Sequence, residues 1–254
     1  MAITVTAHDS VALIAMDDGR VNAINSSFCE EFTDALRNAK DSDAVVLTGR
    51  PRIFSAGLDL HALCGASESD LNLLFHSMSS AMEEVFSFPR PIISACSGHA
   101  IGGGAVLMLG CDERMGESTG RFHIHATGLG IPYPTVVLEI VTQALGVTIG
   151  RRALLMGAPV TGSCRQREGW IHHIVPGDEL IAQALRRAQE LSSLDNISFA
   201  NTKSRLQAQA TARIAASIDN DARAFTERVG SPTTQGRLAL AVAKLEARRS
   251  ANPR

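Results

Sequence analysis

Three consecutive glycines, Gly102-Gly103-Gly104, separate two apolar runs, and this arrangement narrows the possible folds more than any other feature of the chain. Pro91 to Cys96 reads as a buried strand, Ser97-Gly98-His99-Ala100-Ile101 leads into the glycines, and Ala105 to Gly110 reads as an apolar helix. A helix that starts on glycines presents free N–H groups with no side chain over them. Strand, glycine-rich turn and helix in succession imply parallel βα organisation. A second segment has a similar character. Ala44 to Gly49 reads as a buried strand, followed by Phe54-Ser55-Ala56-Gly57-Leu58-Asp59-Leu60, whose small residues at 55 to 57 let the backbone approach a ligand closely. Together, two such segments can hold an oxygen that gains negative charge. Each also has a plainer reading: Asp59 as the cap of the next helix, and the glycines as a phosphate loop. The phosphate reading lacks both G-x-G-x-x-G and the G-K-[ST] of a P-loop, and the same spacing argues against a dinucleotide-binding oxidoreductase.

The rest of the chain fits this organisation. Val11 to Met16 is a short apolar strand stopped by the turn Asp17-Asp18-Gly19. Ser26 to Ala39 is helical in pattern, with Phe28, Phe32 and Leu36 four residues apart and Ser26 or Ser27 as cap. Leu71 to Phe88 is a longer amphipathic helix closed by Pro89 and Pro91. Val136 to Leu145, Ile149 to Met156 and Leu180 to Leu194 are helical. From about Ser198 the strand signals stop, and a helical appendage rich in Ala, Arg and Gln remains.

A length of 254 residues suits one large domain, or a core with a small appendage, and 45% hydrophobic against 20% charged residues favours a filled core over disorder. A net charge of −2 gives no footprint for nucleic acid or an acidic membrane. The five cysteines, Cys29, Cys64, Cys96, Cys111 and Cys164, are odd in number and show no C-x-x-C pair. The expectation is therefore a reducing cytoplasm with no disulfide framework or cysteine zinc site. The N-terminus has no basic region before its apolar residues and reads as a first strand, not a signal peptide. No run of about 18 apolar residues suggests a membrane span.

The two glycine-bearing segments, with Val21-Asn22-Ala23-Ile24-Asn25, Cys111-Asp112 and Gly130-Ile131-Pro132, resemble the enoyl-CoA hydratase/isomerase (crotonase) family over roughly residues 3 to 195, with weaker continuation. The resemblance implies an α/β fold, a crotonase-like spiral of ββα units with a C-terminal helical region. Residues 1–195 would form the acyl-CoA-binding core, and residues 196–254 would serve assembly into a homotrimer or hexamer. It further implies that the thioester oxygen is held by the backbone N–H groups of Leu58 and Gly103. Leu58, Asp59, Leu60 and His61 would line the thioester and pantetheine path, and the backbone around Ala23 and Ala56 would sit near the adenine end. Coenzyme A would be part of the substrate, with no separate cofactor and no metal.

The chain departs from the family's pattern at the acid/base positions. Hydratases of the family use two glutamates; here the corresponding positions are Val106 and Ala126. A positioned acid/base is worth about 10²–10⁴ in rate. The replacement candidates are His125 and His123, which on an extended segment share one face. The plainer alternative is two polar residues on a strand edge; as a His-x-His pair they lack an evident third metal ligand. His99 could face the pocket or be structural. Glu139 reads as a helix-surface or packing residue, Tyr133 as a closure of the acyl tunnel or a turn-packing aromatic, and His172-His173 beside Trp170 as structural. Cys96 and Cys111 read as buried small hydrophobes. Two functions follow from this pattern: an acyl-CoA enzyme with an altered acid/base set, or a non-catalytic acyl-CoA binder.

Overall fold

The computed structural model describes residues 3–251. Residues 1, 2 and 252–254 of the two expected regions lie outside the described residues. The chain opens with β1 (Ile3–His8), β2 (Val11–Met16), β3 (Ala23–Ile24) and α1 (Ser26–Asn38). Next come β4 (Ala44–Thr48), β5 (Arg52–Ser55), β6 (Gly57–Leu58), α2 (Leu60–Leu63) and α3 (Glu68–Ser87). A third unit holds β7 (Ile92–Cys96), β8 (Gly98–Ile101) and α4 (Gly103–Gly110), and a fourth β9 (Glu113–Gly116), β10 (Phe122–His123), α5 (Ala126–Leu129) and α6 (Thr135–Met156). The chain ends with α7 (Cys164–Arg167), β11 (His173–Ile174), α8 (Leu180–Leu191), α9 (Asn196–Gly230) and α10 (Pro232–Ala251).

These units form the expected ββα spiral. The large sheet runs β1-β2-β4-β7-β9-β11, antiparallel between β1 and β2 and parallel thereafter. After β4, β7 and β9 the chain steps into a second sheet of order β10-β8-β5, while β3 pairs with β6. All five residues of β4 and of β7 are buried, as expected for strands covered on both faces.

Helix boundaries follow their caps more than their apolar periodicity. Asn25, not Ser26 or Ser27, caps α1, its side chain accepting from Phe28 N at 2.9 Å. Helix α3 begins three residues before Leu71, because Ser67 and Asp70 form a capping box. The two helical patterns at 136–145 and 149–156 run together across a kink at Gly146, whose φ is 72°. Helix α8 stops at Leu191, short of Leu194.

The main core joins Phe32, Leu36, Leu47, Met82, Val85 and Val106 between the large sheet and its helices. Removing one such aromatic costs about 3–5 kcal/mol. The long α9 packs on α3 and α6 of its own chain. Ala210 and Ile214 enter the main core, while Phe225 and Val229 join Leu63, Leu71 and Phe75 in a neighbouring cluster. The nearly buried Lys203 of α9 donates to Asp112 at 2.8 Å, and Asp112 in turn accepts from Ile92 N at 3.0 Å. Burial raises the Asp112 carboxyl above its ordinary range, and Lys203 pulls it back. No helix among the described residues is long and apolar enough to cross a membrane.

Candidate active site

Two backbone turns meet at one end of the second sheet, held together by buried polar side chains. Asn22 is fully buried and adopts a positive φ of 51°, which asparagine tolerates better than most residues. Its Nδ2 donates to Met16 O at 2.8 Å and to Phe54 O at 3.0 Å. Ser55 Oγ donates to Asn22 O at 2.7 Å and accepts from Gly57 N at 3.1 Å. These bonds fix the chain from 55 to 58. Ala56 N donates to Val21 O and Asp59 N to Ile24 O, both at 2.9 Å. Adjacent N–H groups of a strand point to opposite sides, so the Leu58 N–H is directed opposite to that of its neighbour Asp59, away from β3.

The glycine turn packs against this segment. Gly57 has φ +79°, and a side chain there would collide with Ile101 O and come within 3.0 Å of Gly103 N. A Cβ on Gly104 would meet the Ser55 side chain at 2.5 Å. Gly102 N donates to His123 O at 2.7 Å, and Gly102 O receives Ala105 N and Val106 N. Gly103 is the first residue of α4, where a backbone N–H has no carbonyl one turn behind it.

Both turns open onto a cavity of about 230 Å³. Ala56, Leu58, Leu60, Gly103 and Val106 form one wall; His123, His125, Ala126 and Tyr133 form another; Met78, Met82 and Phe225 line it from α3 and α9. The lining is predominantly apolar, and the described lining residues include no carboxylate. The cavity thus brings together Leu58, Gly103, Ala56, Leu60 and His125 with Val106 and Ala126. Other sequence candidates lie outside its wall. Ala23 pairs with Gly57 in the β3–β6 ladder. Asp59 caps α2, accepting from His61 N at 3.0 Å and Ala62 N at 3.4 Å. The exposed His61 ring lies 3.5 Å from Glu246 of α10. His99 is exposed on β8. Glu139 is held by Arg213 of α9 through two bonds of 2.7 Å.

The two histidines of the wall differ in state. His123 Nε2 lies 2.5 Å from Gly157 O. A carbonyl only accepts, so this nitrogen carries the proton. Burial pushes the His123 pKa down; the Gly157 bond opposes this, and His125 adds to it. The strand ends at His123, yet the His125 ring stacks on it, with centroids 5.1 Å apart and planes 15° apart. His125 is exposed and sits between Gly128 and Gly157, where any side chain would strike its ring. Its nitrogens hold no hydrogen bond among the described residues. Tyr133 Oη accepts from Ala126 N at 3.0 Å. Burial raises the phenol's pKa, with the Ala126 and Thr127 amides opposing it.

Sequence reasoning missed the α3 and α9 side of the cavity. Met78 and Met82 lie within the helix read from its periodicity, but nothing local marks them as facing a cavity. Phe225 is one of only two aromatics from Ser198 onward, the single hint that this stretch reaches an apolar site. The residues expected to be structural behave so. Cys96 and Cys111 are buried, with thiol pKa values pushed up to about 12 by burial. His172 Nε2 lies 2.6 Å from the Arg114 guanidinium, whose Nε donates to the Trp170 carbonyl at 3.2 Å.

A family model described as enoyl-CoA hydratase/isomerase matches residues 6–241. A probable enoyl-CoA hydratase of Mycobacterium leprae is 24% identical over 227 residues, covering 88% of each chain. The crystal structure of a probable enoyl-CoA hydratase from Mycobacterium tuberculosis superposes with a TM-score of 0.84 at 30% identity, covering 89% of this chain and 96% of that one. Human mitochondrial delta3-delta2-enoyl-CoA isomerase shares the fold, with a TM-score of 0.93 at 22% identity over 98% of this chain and all of that one.

Proposed function

The chain belongs to the enoyl-CoA hydratase/isomerase family, and from that premise we propose that it acts on an acyl-CoA thioester whose carbonyl oxygen is held by the backbone N–H groups of Leu58 and Gly103. The observation that carries this reading is the shared cavity wall: both residues line it, one amide turned away from its strand partner and the other in the unpaired first turn of α4. Chemistry at the α or β carbon of a thioester passes through an enolate, whose oxyanion is far more basic than the starting carbonyl oxygen. Fixed donors in an apolar cavity stabilise that state preferentially.

The acid/base set is the unusual part. The side chains at the family's two glutamate positions are Val106 and Ala126, and both line a cavity whose described wall holds no carboxylate. His125 takes the base role: its imidazole is accessible, free of hydrogen bonds among the described residues, and braced by the His123 ring. A neutral imidazole accepts a proton near neutral pH. With purified protein and crotonyl-CoA, loss of the conjugated thioester absorbance is the expected result, abolished by His125→Ala. The same missing carboxylates favour one second reading, a non-catalytic acyl-CoA binder. Saturable binding without turnover across several enoyl-CoAs would select it, and failure to bind any CoA thioester would remove both.

Coenzyme A enters as part of the substrate, and the protein works in the cytoplasm without a further cofactor. Residues 1–195 serve as the acyl-CoA-binding core and 196–254 as the helical assembly region of a homotrimer or hexamer. Exposed apolar side chains at Val147, Leu155 and Met156 of α6, and at Leu206 and Leu240 of α9 and α10, support self-association. Light scattering on the purified protein tests it; a monomer at micromolar concentration would remove this part of the reading.

A further inference from the structure

We propose that Thr234 and Gln235, in the first turn of α10, are positioning residues of the acyl-CoA site: together they clasp α2 to α5 and so set the spacing of the cavity walls that those two helices carry. This inference rests on the acyl-CoA reading of the cavity and deepens it, giving the start of α10 a part in substrate selection. Both helices are single turns of four residues, Leu60–Leu63 and Ala126–Leu129. Helices that short have no stability of their own, and these two come from distant stretches of chain. Leu60 of α2, and Ala126 and Leu129 of α5, line the cavity, while no described residue of α10 does.

The carbonyls at the C-terminal end of a helix find no partner within it, and α10 donates to one at each helix. The fully buried Thr234 donates from Oγ1 to the carbonyl of Gly130, the left-handed C-cap of α5, at 3.3 Å. Gln235 Nε2 donates to Leu63 O, at the end of α2, at 3.2 Å and to Val229 O at 2.9 Å, while its Oε1 accepts from Gly65 N at 2.8 Å. Both carbonyls only accept, which fixes the amide's orientation; a carboxylate at 235 would set an acceptor against them. One turn on, Leu238 is fully buried in a cluster with Leu63 and Ile131. Leu58 and Leu60 of one wall and Ala126 and Leu129 of the other pack against that same cluster. The walls are thereby joined through α10. Releasing either side-chain bond lets them part, and a bulky acyl group gains most from the added room.

Calorimetry with butyryl-CoA and benzoyl-CoA tests this on the wild type, Thr234→Val and Gln235→Glu. Both ligands carry the same CoA moiety and meet the same folded fraction, so the ratio of their affinities reports the acyl cavity and not stability. Each variant should shift that ratio toward benzoyl-CoA by about three- to tenfold, the range expected of one hydrogen bond. Thr234→Ser, which keeps the hydroxyl, should restore the wild-type ratio. A ratio unchanged in both folded variants, or shifted toward butyryl-CoA, would overturn the proposal and leave the clasp holding only the fold. Hydrogen exchange on the wild type decides the matter even if the variants do not fold. Saturation with butyryl-CoA, compared with free CoA, should slow exchange at residues 234–238 together with α2 and α5; no slowing at 234–238 would overturn the proposal. If the wild type bound neither thioester, the acyl-CoA reading beneath it would fall instead.

Discussion

Gly57 and Gly103 approach so closely that a methyl group added to Gly57 would sit 3.0 Å from the Gly103 nitrogen and would overlap the Ile101 carbonyl oxygen. Gly57 also has φ +79°, a conformation that side chains with a Cβ resist. This contact sets the spacing of the two turns that border the cavity. Gly57→Ala should therefore lower stability by about 1–3 kcal/mol and weaken acyl-CoA binding beyond that loss. Thermal melts and calorimetry on one preparation test both. A variant that melts and binds as the wild type does would mean the turns can part without consequence.

Gly103→Pro isolates the second amide. Proline is well accepted at the first position of a helix, where its missing N–H has no intrahelical partner in any case. The neighbouring Ile24 side chain, 3.0 Å from an added Cβ, lies at the tip of a flexible chain and can shift. The fold should survive while turnover drops about 10²-fold or more, corresponding to roughly 3 kcal/mol for one lost donor. In a folded protein, unchanged turnover and acyl-CoA affinity would show that position 103 supplies no donor.

Sequence and structure agree where the signal is local. The strand, glycine turn and helix around Gly98 to Gly110 read directly, because three glycines have few uses, and Asp59 caps α2 as its position suggested. Helix starts were less legible. The side chains of Asn25 and Ser67 accept from N–H groups three residues on, a signal that apolar spacing does not carry. The stacking of His123 on His125 came about differently from the expectation, since the chain leaves the strand after His123 and enters α5. Phe225 reaches the cavity from α9, more than 160 residues beyond Leu58. Only tertiary packing of α9 on α3 and α6 puts it there.

The Arg114–His172 contact predicts how stability depends on pH. Burial foremost, then the adjacent guanidinium, hold the His172 pKa down at about 4 instead of 6.5. Below pH 6.5 the unfolded chain takes up a proton that the folded chain refuses until about pH 4. The contribution is therefore complete above the unfolded value and is lost as pH falls through this window. His123, also lowered by burial, acts with the same sign. Melting temperature should fall as pH drops from 6.5 toward 4, and His172→Gln should flatten that slope while lowering stability at neutral pH. An identical slope in the variant would assign the acid sensitivity to other groups.

Ala126→Glu asks whether the cavity is a hydratase site that lacks only its carboxylate. Position 126 is the first residue of α5, where a negative charge is favoured by the helix dipole, and it lines the cavity beside His125 and Tyr133. A side chain reaching inward from there would meet an apolar wall, which raises a carboxyl's pKa toward the range useful for proton transfer. The Ala126 N–H, already bonded to Tyr133 Oη, is not consumed by the substitution. If the substrate's reacting carbons lie against this wall, hydration of crotonyl-CoA should rise by about 10²-fold, the lower end of what a positioned acid/base contributes. The gain should appear in kcat more than in KM, because the new group acts on the transition state and adds no uniform binding. A folded Ala126→Glu protein with the wild-type rate would place the reacting carbons elsewhere in the cavity and leave the residue beside Tyr133 without a part in the chemistry.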